Sequence, residues 1–151
     1  MDGFGKSCLI VTGARSAAAC GALGDITAAL DKLSIRWCIF SRIGENPTVS
    51  SCLDAAAEAI EFGADFILGI GGGSPLDAAK AIALLAANPD LDGGSLYALC
   101  WKNKPLPIVL TGTTSGTGSE VSPTAVLTNE LGRKRHKCAL HEKAMKGMEN
   151  P

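Results

Sequence analysis

The chain has 151 residues, of which 46% are hydrophobic and 19% charged, and this predicts one globular domain with a substantial core. Its formal net charge is −1, and its basic residues are scattered until the tail, so it lacks the basic stripe of a nucleic-acid-binding protein. No apolar run reaches the roughly 18 to 20 residues of a membrane span, and the six cysteines show no metal or disulfide spacing. We therefore expect a cytoplasmic protein without nucleic-acid or membrane partners.

Apolar segments of strand length alternate with helical patterns along most of the chain. The run "CLIVTG" is typical of a buried strand, and "GALGDITAALDKL" carries apolar residues at helical spacing. A second helix should begin at Ser50 or Ser51 as N-cap and end before Gly63. The predicted strands are 8–13, 35–41, 65–70 and 106–112, and the other predicted helices are 21–33 and 74–88. This alternation predicts a doubly wound α/β fold with a mostly parallel, Rossmann-like sheet.

The stretch "GIGGGSPLDAAK" joins the third strand to the third helix. Glycines at 71–73 permit positive φ and let a ligand approach the main chain. Ser74 as N-cap, Pro75 as the first helical residue and Asp77 three residues after Ser74 would form a capping box. The stretch matches neither G-x-G-x-x-G nor a Walker A motif, so a dinucleotide pyrophosphate is favoured over a nucleoside triphosphate at this helix N-terminus. The alternative is a purely structural turn and cap.

A second glycine-rich turn, "TGTTSGTGSEVSPT", follows the fourth predicted strand. Its hydroxyl groups can donate to phosphate, ribose or base edges. Both turns stand at the carboxyl ends of parallel strands, which is the edge where open α/β sheets bind ligands. The two turns therefore predict one shared site.

These two stretches, with "GENPT" after the second strand, resemble the nucleotide-binding half of the iron-containing, group III alcohol dehydrogenases, from about Cys8 to Lys134. The resemblance implies a dinucleotide-binding domain over residues 1–134, incomplete at its N-terminus, and a divergent, weakly structured tail over 135–151. It implies hydride transfer between NAD or NADP and a small alcohol or aldehyde. A glycerol dehydrogenase or dehydroquinate synthase relative is a less favoured alternative of the same fold.

The resemblance also implies a set of cofactor contacts. Arg15 and Arg42 are candidate contacts of a 2′-phosphate, and Lys134 of the cofactor in general; the alternative for Arg42 is a solvated surface charge. Ser41 stands where NAD-binding members place an acid, which favours NADP. The residues expected to bind the cofactor are Gly71, Gly72, Gly73, Ser74, Asp77, Thr113, Thr114, Thr117 and Ser41.

Family members hold iron or zinc through one aspartate and three histidines in a second, helical domain that has no counterpart in this sequence. The chain has only two histidines, His136 and His141, so we assign it no metal ligand and no catalytic residue. We expect a chain truncated at both ends. The alternative to an enzyme portion is a catalytically silent nucleotide-binding fragment, and an open sheet edge could pair with a second copy.

Overall fold

The computed structural model describes residues 5–14, 21–91, 102–113, 125–129 and 136–140. Alternating strands and helices occupy most of these ranges. The strands are β1 (Ser7–Gly13), β2 (Arg36–Ile43), β3 (Phe66–Gly71), β4 (Ile108–Gly112), β5 (Ala125–Asn129) and β6 (His136–Leu140), and the helices are α1 (Ala22–Lys32), α2 (Val49–Phe62) and α3 (Gly73–Ala87).

The first four strands form one parallel sheet in the order β2-β1-β3-β4. The sheet is covered on both faces, because Leu9 and Ile67 pack with residues of α2 and α3, whereas Ile10 and Leu68 pack with Leu30 of α1. The doubly wound α/β fold is confirmed. The chain leaves β1 toward β2 and leaves β3 toward β4, so the carboxyl ends of β1 and β3 form the topological switch point of the sheet.

Helix α3 is the most deeply buried helix of the described chain, and it contacts β3 closely. Its buried surface is rich in alanine, which lets the helix axis approach the sheet. The closest approach is at Gly69 of β3, where an added Cβ would lie 2.9 Å from Ala79 Cβ and 3.0 Å from Leu110 Cδ2. Gly69 therefore serves helix–sheet packing rather than a turn.

The ends of α2 follow local capping rules, with one correction to the sequence analysis. Gly63 adopts the left-handed conformation expected of a C-terminal glycine, with φ of 76°. The N-cap, however, is Thr48 and not Ser50 or Ser51, because Thr48 Oγ1 accepts a hydrogen bond of 3.1 Å from the Ser51 N–H. The sequence contains several adjacent residues that can cap, and the position of the β2–α2 turn decides among them.

An antiparallel pair of strands, β5 and β6, lies outside the main sheet and was not predicted. Ala125 and Leu127 of β5 are buried in the same core cluster as α2 and α3. Strand β6 spans His136–Leu140, within the stretch expected to form a weakly structured tail, and that expectation for residues 135–151 stays a prediction. The domain boundary at residue 134 stays a prediction. None of the three helices in the described ranges is long and apolar enough to cross a bilayer.

At the amino edge of the sheet, the carboxylate of Asp65 accepts hydrogen bonds from the start of the β1 segment. Asp65 Oδ2 accepts from the Lys6 N–H at 2.8 Å and from Ser7 Oγ at 3.2 Å. The Lys6 N–H lowers the pKa of Asp65 against an opposing desolvation effect, and the Ser7 hydroxyl and the Arg36 charge lower it further. The folded chain thus favours the ionised carboxylate.

Asp65→Asn should reduce the pH dependence of stability in the acid range. A carboxylate whose pKa is lowered by folding stabilises the native state above its unfolded pKa of about 3.9, and this contribution is lost as pH falls through the folded value. Urea unfolding at pH 7 and pH 3 should therefore show a smaller difference in midpoint for Asp65→Asn than for the wild type. The exposed Asp54→Asn in α2 is the control, and an equal change in both variants would contradict the assignment.

Gly69→Ala should destabilise the chain by about 1–3 kcal/mol, because the new methyl group overpacks the α3–sheet contact. The matched substitution Gly24→Ala in α1 meets no heavy atom within 4 Å and should stabilise by about 0.4–1 kcal/mol. Urea midpoints of the two variants should move in opposite directions. A Gly69→Ala midpoint at or above that of the wild type would refute the close-approach argument.

Candidate functional site

The glycine turn between β3 and α3 lies at the carboxyl edge of the sheet, beside the switch point. Gly71 has φ of 143°, and a Cβ there would lie 2.8 Å from Pro75 Cγ. Gly72 has φ of −79° and ψ of −162°, an extended conformation that any residue can adopt. Of Gly71, Gly72 and Gly73, only Gly71 has the expected positive φ, and the conformation of Gly72 does not itself require glycine.

The first turn of α3 is arranged differently from the predicted capping box. The N-cap is Gly72, the helix begins at Gly73, and no side chain in the described part of the chain caps it. Ser74 is the second helical residue, and its Oγ donates to the Glu45 carbonyl oxygen instead of capping the helix. Pro75 is consequently the third helical residue rather than the first. The first-turn N–H groups must find acceptors outside the helix, and the dipole favours an anion there.

Asp77 lies in the second turn of α3 and does not act as a cap. Its Oδ1 lies 3.4 Å from Nζ of Lys80, whose side chain is only 2% exposed. A buried ammonium group needs a charged or polar partner. Asp77 therefore has an electrostatic role next to Lys80, and its side chain reaches the surface where the glycine turn opens.

Thr113 directly follows β4 and joins it to the glycine turn. Its N–H donates to the Gly71 carbonyl oxygen at 2.9 Å. Its Oγ1 is buried and has no hydrogen-bond partner within the described part of the chain. A buried hydroxyl without a partner costs free energy unless another group satisfies it, so this position suits an external acceptor or donor.

A cleft of about 210 Å³ opens beside the first turn of α3. One wall is α3 itself, and the other is the turn after β2, which is hydrogen bonded to β5 through the Thr128 N–H and the Pro47 carbonyl oxygen at 2.8 Å. The lining residues are Glu45, Asn46, Pro47, Gly73, Ser74, Asp77, Leu127 and Thr128. The cleft therefore brings the predicted Gly73, Ser74 and Asp77 together.

Sequence reasoning assigned no role in the site to Glu45, Asn46 and Pro47, or to Leu127 and Thr128. A signal for the first three was present, since "GENPT" directly follows the second strand and so stands at the carboxyl edge. The two residues of β5 carried no such signal.

The remaining predicted contacts lie elsewhere. Ser41 is exposed on β2, which is one of the two edge strands of the four-stranded sheet, and does not line the cleft. Arg42, also exposed, forms an ion pair with Glu58. Thr114, Thr117, Arg15 and Lys134 fall outside the described residues. Within the described ranges, no group of three or more His, Cys, Asp or Glu side chains could hold a metal ion.

Comparison with known proteins identifies the family. The sequence pattern of the iron-containing alcohol dehydrogenases matches residues 1–145. The chain belongs to this family. It is 36% identical over 138 residues to lactaldehyde reductase of Escherichia coli K12, and the match covers 90% of this chain and 36% of the reductase. The chain thus spans little more than a third of the length of such a relative.

Solved structures of the family share the fold. An iron-containing alcohol dehydrogenase from Thermotoga maritima superposes with a TM-score of 0.82 at 39% identity, over 91% of this chain and 38% of that one. A sulfoacetaldehyde reductase from Bifidobacterium kashiwanohense, solved in complex with NAD⁺, superposes with a TM-score of 0.77 at 26% identity, over 93% of this chain and 36% of that one. The match extends past residue 134 in the sequence comparison, beyond the resemblance recognised from motifs.

Thr113→Val should weaken nucleotide binding without lowering the stability of the fold. Removing a buried hydroxyl that has no partner among the described residues should leave the urea midpoint unchanged or raise it. If the hydroxyl meets a bound dinucleotide, NADH affinity should fall about tenfold, the value of one hydrogen bond to a charged group. Thr113→Ser, which keeps the hydroxyl, is the control and should bind like the wild type. A Val variant that loses stability and keeps its affinity would assign Thr113 to the fold alone.

Proposed function

We propose that this chain binds a nicotinamide dinucleotide at the carboxyl edge of its parallel sheet, as the cofactor-binding part of a metal-dependent alcohol dehydrogenase or aldehyde reductase. The observation that carries the proposal is the N-terminus of α3 next to Gly71 and Gly72, which has no side-chain cap among the described residues, together with the nearby Thr113 hydroxyl, which has no hydrogen-bond partner among them. Family membership supports the same function, and a relative with 26% identity binds NAD⁺.

The residues at the edge have distinct tasks in this proposal. Gly72 lets the pyrophosphate approach the main chain, and the first-turn N–H groups of α3 together with the helix dipole neutralise its charge. Thr113 donates a hydrogen bond through its hydroxyl. Asp77 and Asn46 line the adjoining cleft and orient the uncharged polar groups of the cofactor. The bound dinucleotide would supply the hydride carrier.

The proposed cofactor preference is for NADP. Ser41 near the end of β2 provides no carboxylate to accept a hydrogen bond from a ribose 2′-hydroxyl or to repel a 2′-phosphate. The neighbouring Arg42 is the only basic residue of β2 near this end. Both features favour a phosphate over a hydroxyl.

A metal ion is part of the proposed whole enzyme, but no residue of this chain is assigned to it. The described residues contain no suitable cluster of ligands, and the family resemblance assigns the ligands to a separate helical domain. The proposed substrates, small alcohols or aldehydes, belong to the whole enzyme.

Titration of the purified chain with NADPH and NADH, followed by nucleotide fluorescence, should show saturable binding, with NADPH the tighter ligand. Gly72→Val should abolish binding, because the branched side chain occupies the approach to the main chain. Gly72 is the better choice than Gly71, since its extended conformation accepts valine without backbone strain. We expect only a modest fall in the urea midpoint, from the poorer N-cap.

Each outcome of this titration has a distinct meaning. Equal or tighter binding of NADH would contradict the NADP preference alone. If neither NADPH nor NADH binds, the proposed function is contradicted. Turnover of a short-chain aldehyde after addition of Fe²⁺ or Zn²⁺ would show an active enzyme, whereas saturable binding without turnover would favour a catalytically silent binding module.

A further inference from the structure

The side chain of Arg42 does not extend toward the carboxyl edge of the sheet. Its Cζ lies 4.6 Å from the centroid of the Phe40 ring, and its Nη2 donates to Glu58 Oε1. Phe40 precedes Arg42 by two residues, and the pairing of β2 with β1 is irregular between Phe40 and Ile43, so it is the ring contact, not strand alternation, that places the guanidinium group over Phe40. The guanidinium group therefore leans back along the strand, toward its amino end.

The course of α2 supports the same direction. Helix α2 begins at Val49, after the carboxyl end of β2, and leads through Gly63 to the amino end of β3. Glu58 lies roughly 14 Å along the helix axis from Val49. The carboxylate of Glu58 also adds to the effect of burial in raising the pKa of the Cys38 thiol, as expected if it lies beside β2 well before its carboxyl end.

A second contact between β2 and α2 shows how far Arg42 lies from Glu58 along the direction of the strand. Arg36 at the start of β2 places its Cζ 5.0 Å from the ring of Phe62, the last residue of α2. From Arg36 to Arg42 a strand rises about 20 Å, but from Phe62 back to Glu58 a helix rises only about 6 Å. Arg42 must therefore reach back along β2 to meet Glu58.

We infer that Glu58 holds Arg42 away from the dinucleotide edge and thereby limits how strongly the chain discriminates a 2′-phosphate from a 2′-hydroxyl. The inference rests on the proposed function. In the observed arrangement the guanidinium charge is neutralised by a carboxylate and directed away from the ligand. When it is released, Arg42 regains a free fork of donors, and the small Ser41 next to it leaves room for a phosphate at the strand end.

The ion pair is weak enough for this role. The side chains of Arg42 and Glu58 are 66% and 42% exposed, and an exposed pair of this kind is screened by water. A dianionic phosphate can compete for the guanidinium group, at a cost in affinity set by Glu58. Glu58 is thus a positioning residue that acts through Arg42 and does not itself touch the cofactor.

Glu58→Gln should tighten NADPH binding by roughly two- to fivefold, the range expected from releasing an exposed ion pair, and should leave NADH binding unchanged. Glu61→Gln is the matched control, since it removes the same charge from an exposed position one turn further along α2. Dissociation constants for both nucleotides, measured by fluorescence titration at one fixed salt concentration, give the readout.

The double variant Arg42→Ala/Glu58→Gln tests whether the effect passes through Arg42. Its NADPH affinity should equal that of Arg42→Ala alone. A gain that persists without Arg42, a gain shared by Glu61→Gln, or an unchanged or weaker NADPH affinity in Glu58→Gln would each overturn the inference. If NADH binds normally in these cases, the proposed function stands. If neither NADPH nor NADH binds the wild type or any of the variants, both the inference and the proposed function are overturned.

Discussion

The contact between α3 and β3 is the constraint on which the rest of the structure depends. At Gly69 the helix and the sheet approach so closely that one methyl group would collide with Ala79 and Leu110. Two residues later, Gly71 turns the chain with a positive φ against Pro75. The same close packing that builds the core therefore places the uncapped N-terminus of α3 at the switch point. Folding and ligand binding share one short segment of backbone.

Two hydrogen bonds outside regular structure then complete the cleft. The Ser74 hydroxyl joins α3 to the turn after β2, and the Thr128 N–H joins β5 to Pro47 of the same turn. The turn is thus held from two directions. This explains how residues from three distant parts of the sequence form one surface, and why β5 belongs to the site as well as to the core.

The sequence allowed the main sheet to be predicted because its determinants are local. Buried parallel strands are apolar throughout, and Gly63 marks a helix end whatever its tertiary context. The start of α3 was predicted wrongly because the Ser74 hydroxyl, which as an N-cap would accept a hydrogen bond from a first-turn N–H, lies inside the helix and donates to the Glu45 carbonyl oxygen. Only the folded chain brings that carbonyl group near. The position of Arg42 likewise depends on the spacing of β2 and α2, which no local pattern encodes.

The family relationship and the geometry support one account from separate directions. Motif recognition led to the cofactor, while the structure shows which groups at the edge lack partners and which are already engaged. Arg42 and Ser74 are engaged, whereas the N-terminus of α3 has no side-chain cap and Thr113 Oγ1 has no partner in the described residues. A ligand at this edge would therefore meet the α3 N-terminus and Thr113 before it could compete for Arg42 or Ser74.

The central claim is that a dinucleotide binds on the main chain at the carboxyl edge. It is tested most directly by two-dimensional ¹H–¹⁵N NMR of the labelled chain during titration with NADH. The account predicts saturable shifts concentrated at the amides of Gly72, Gly73, Ser74 and Thr113, with the amide of Asp65 at the opposite edge unmoved. Saturable shifts that leave the α3 N-terminus unchanged, or no shifts at all, would contradict it.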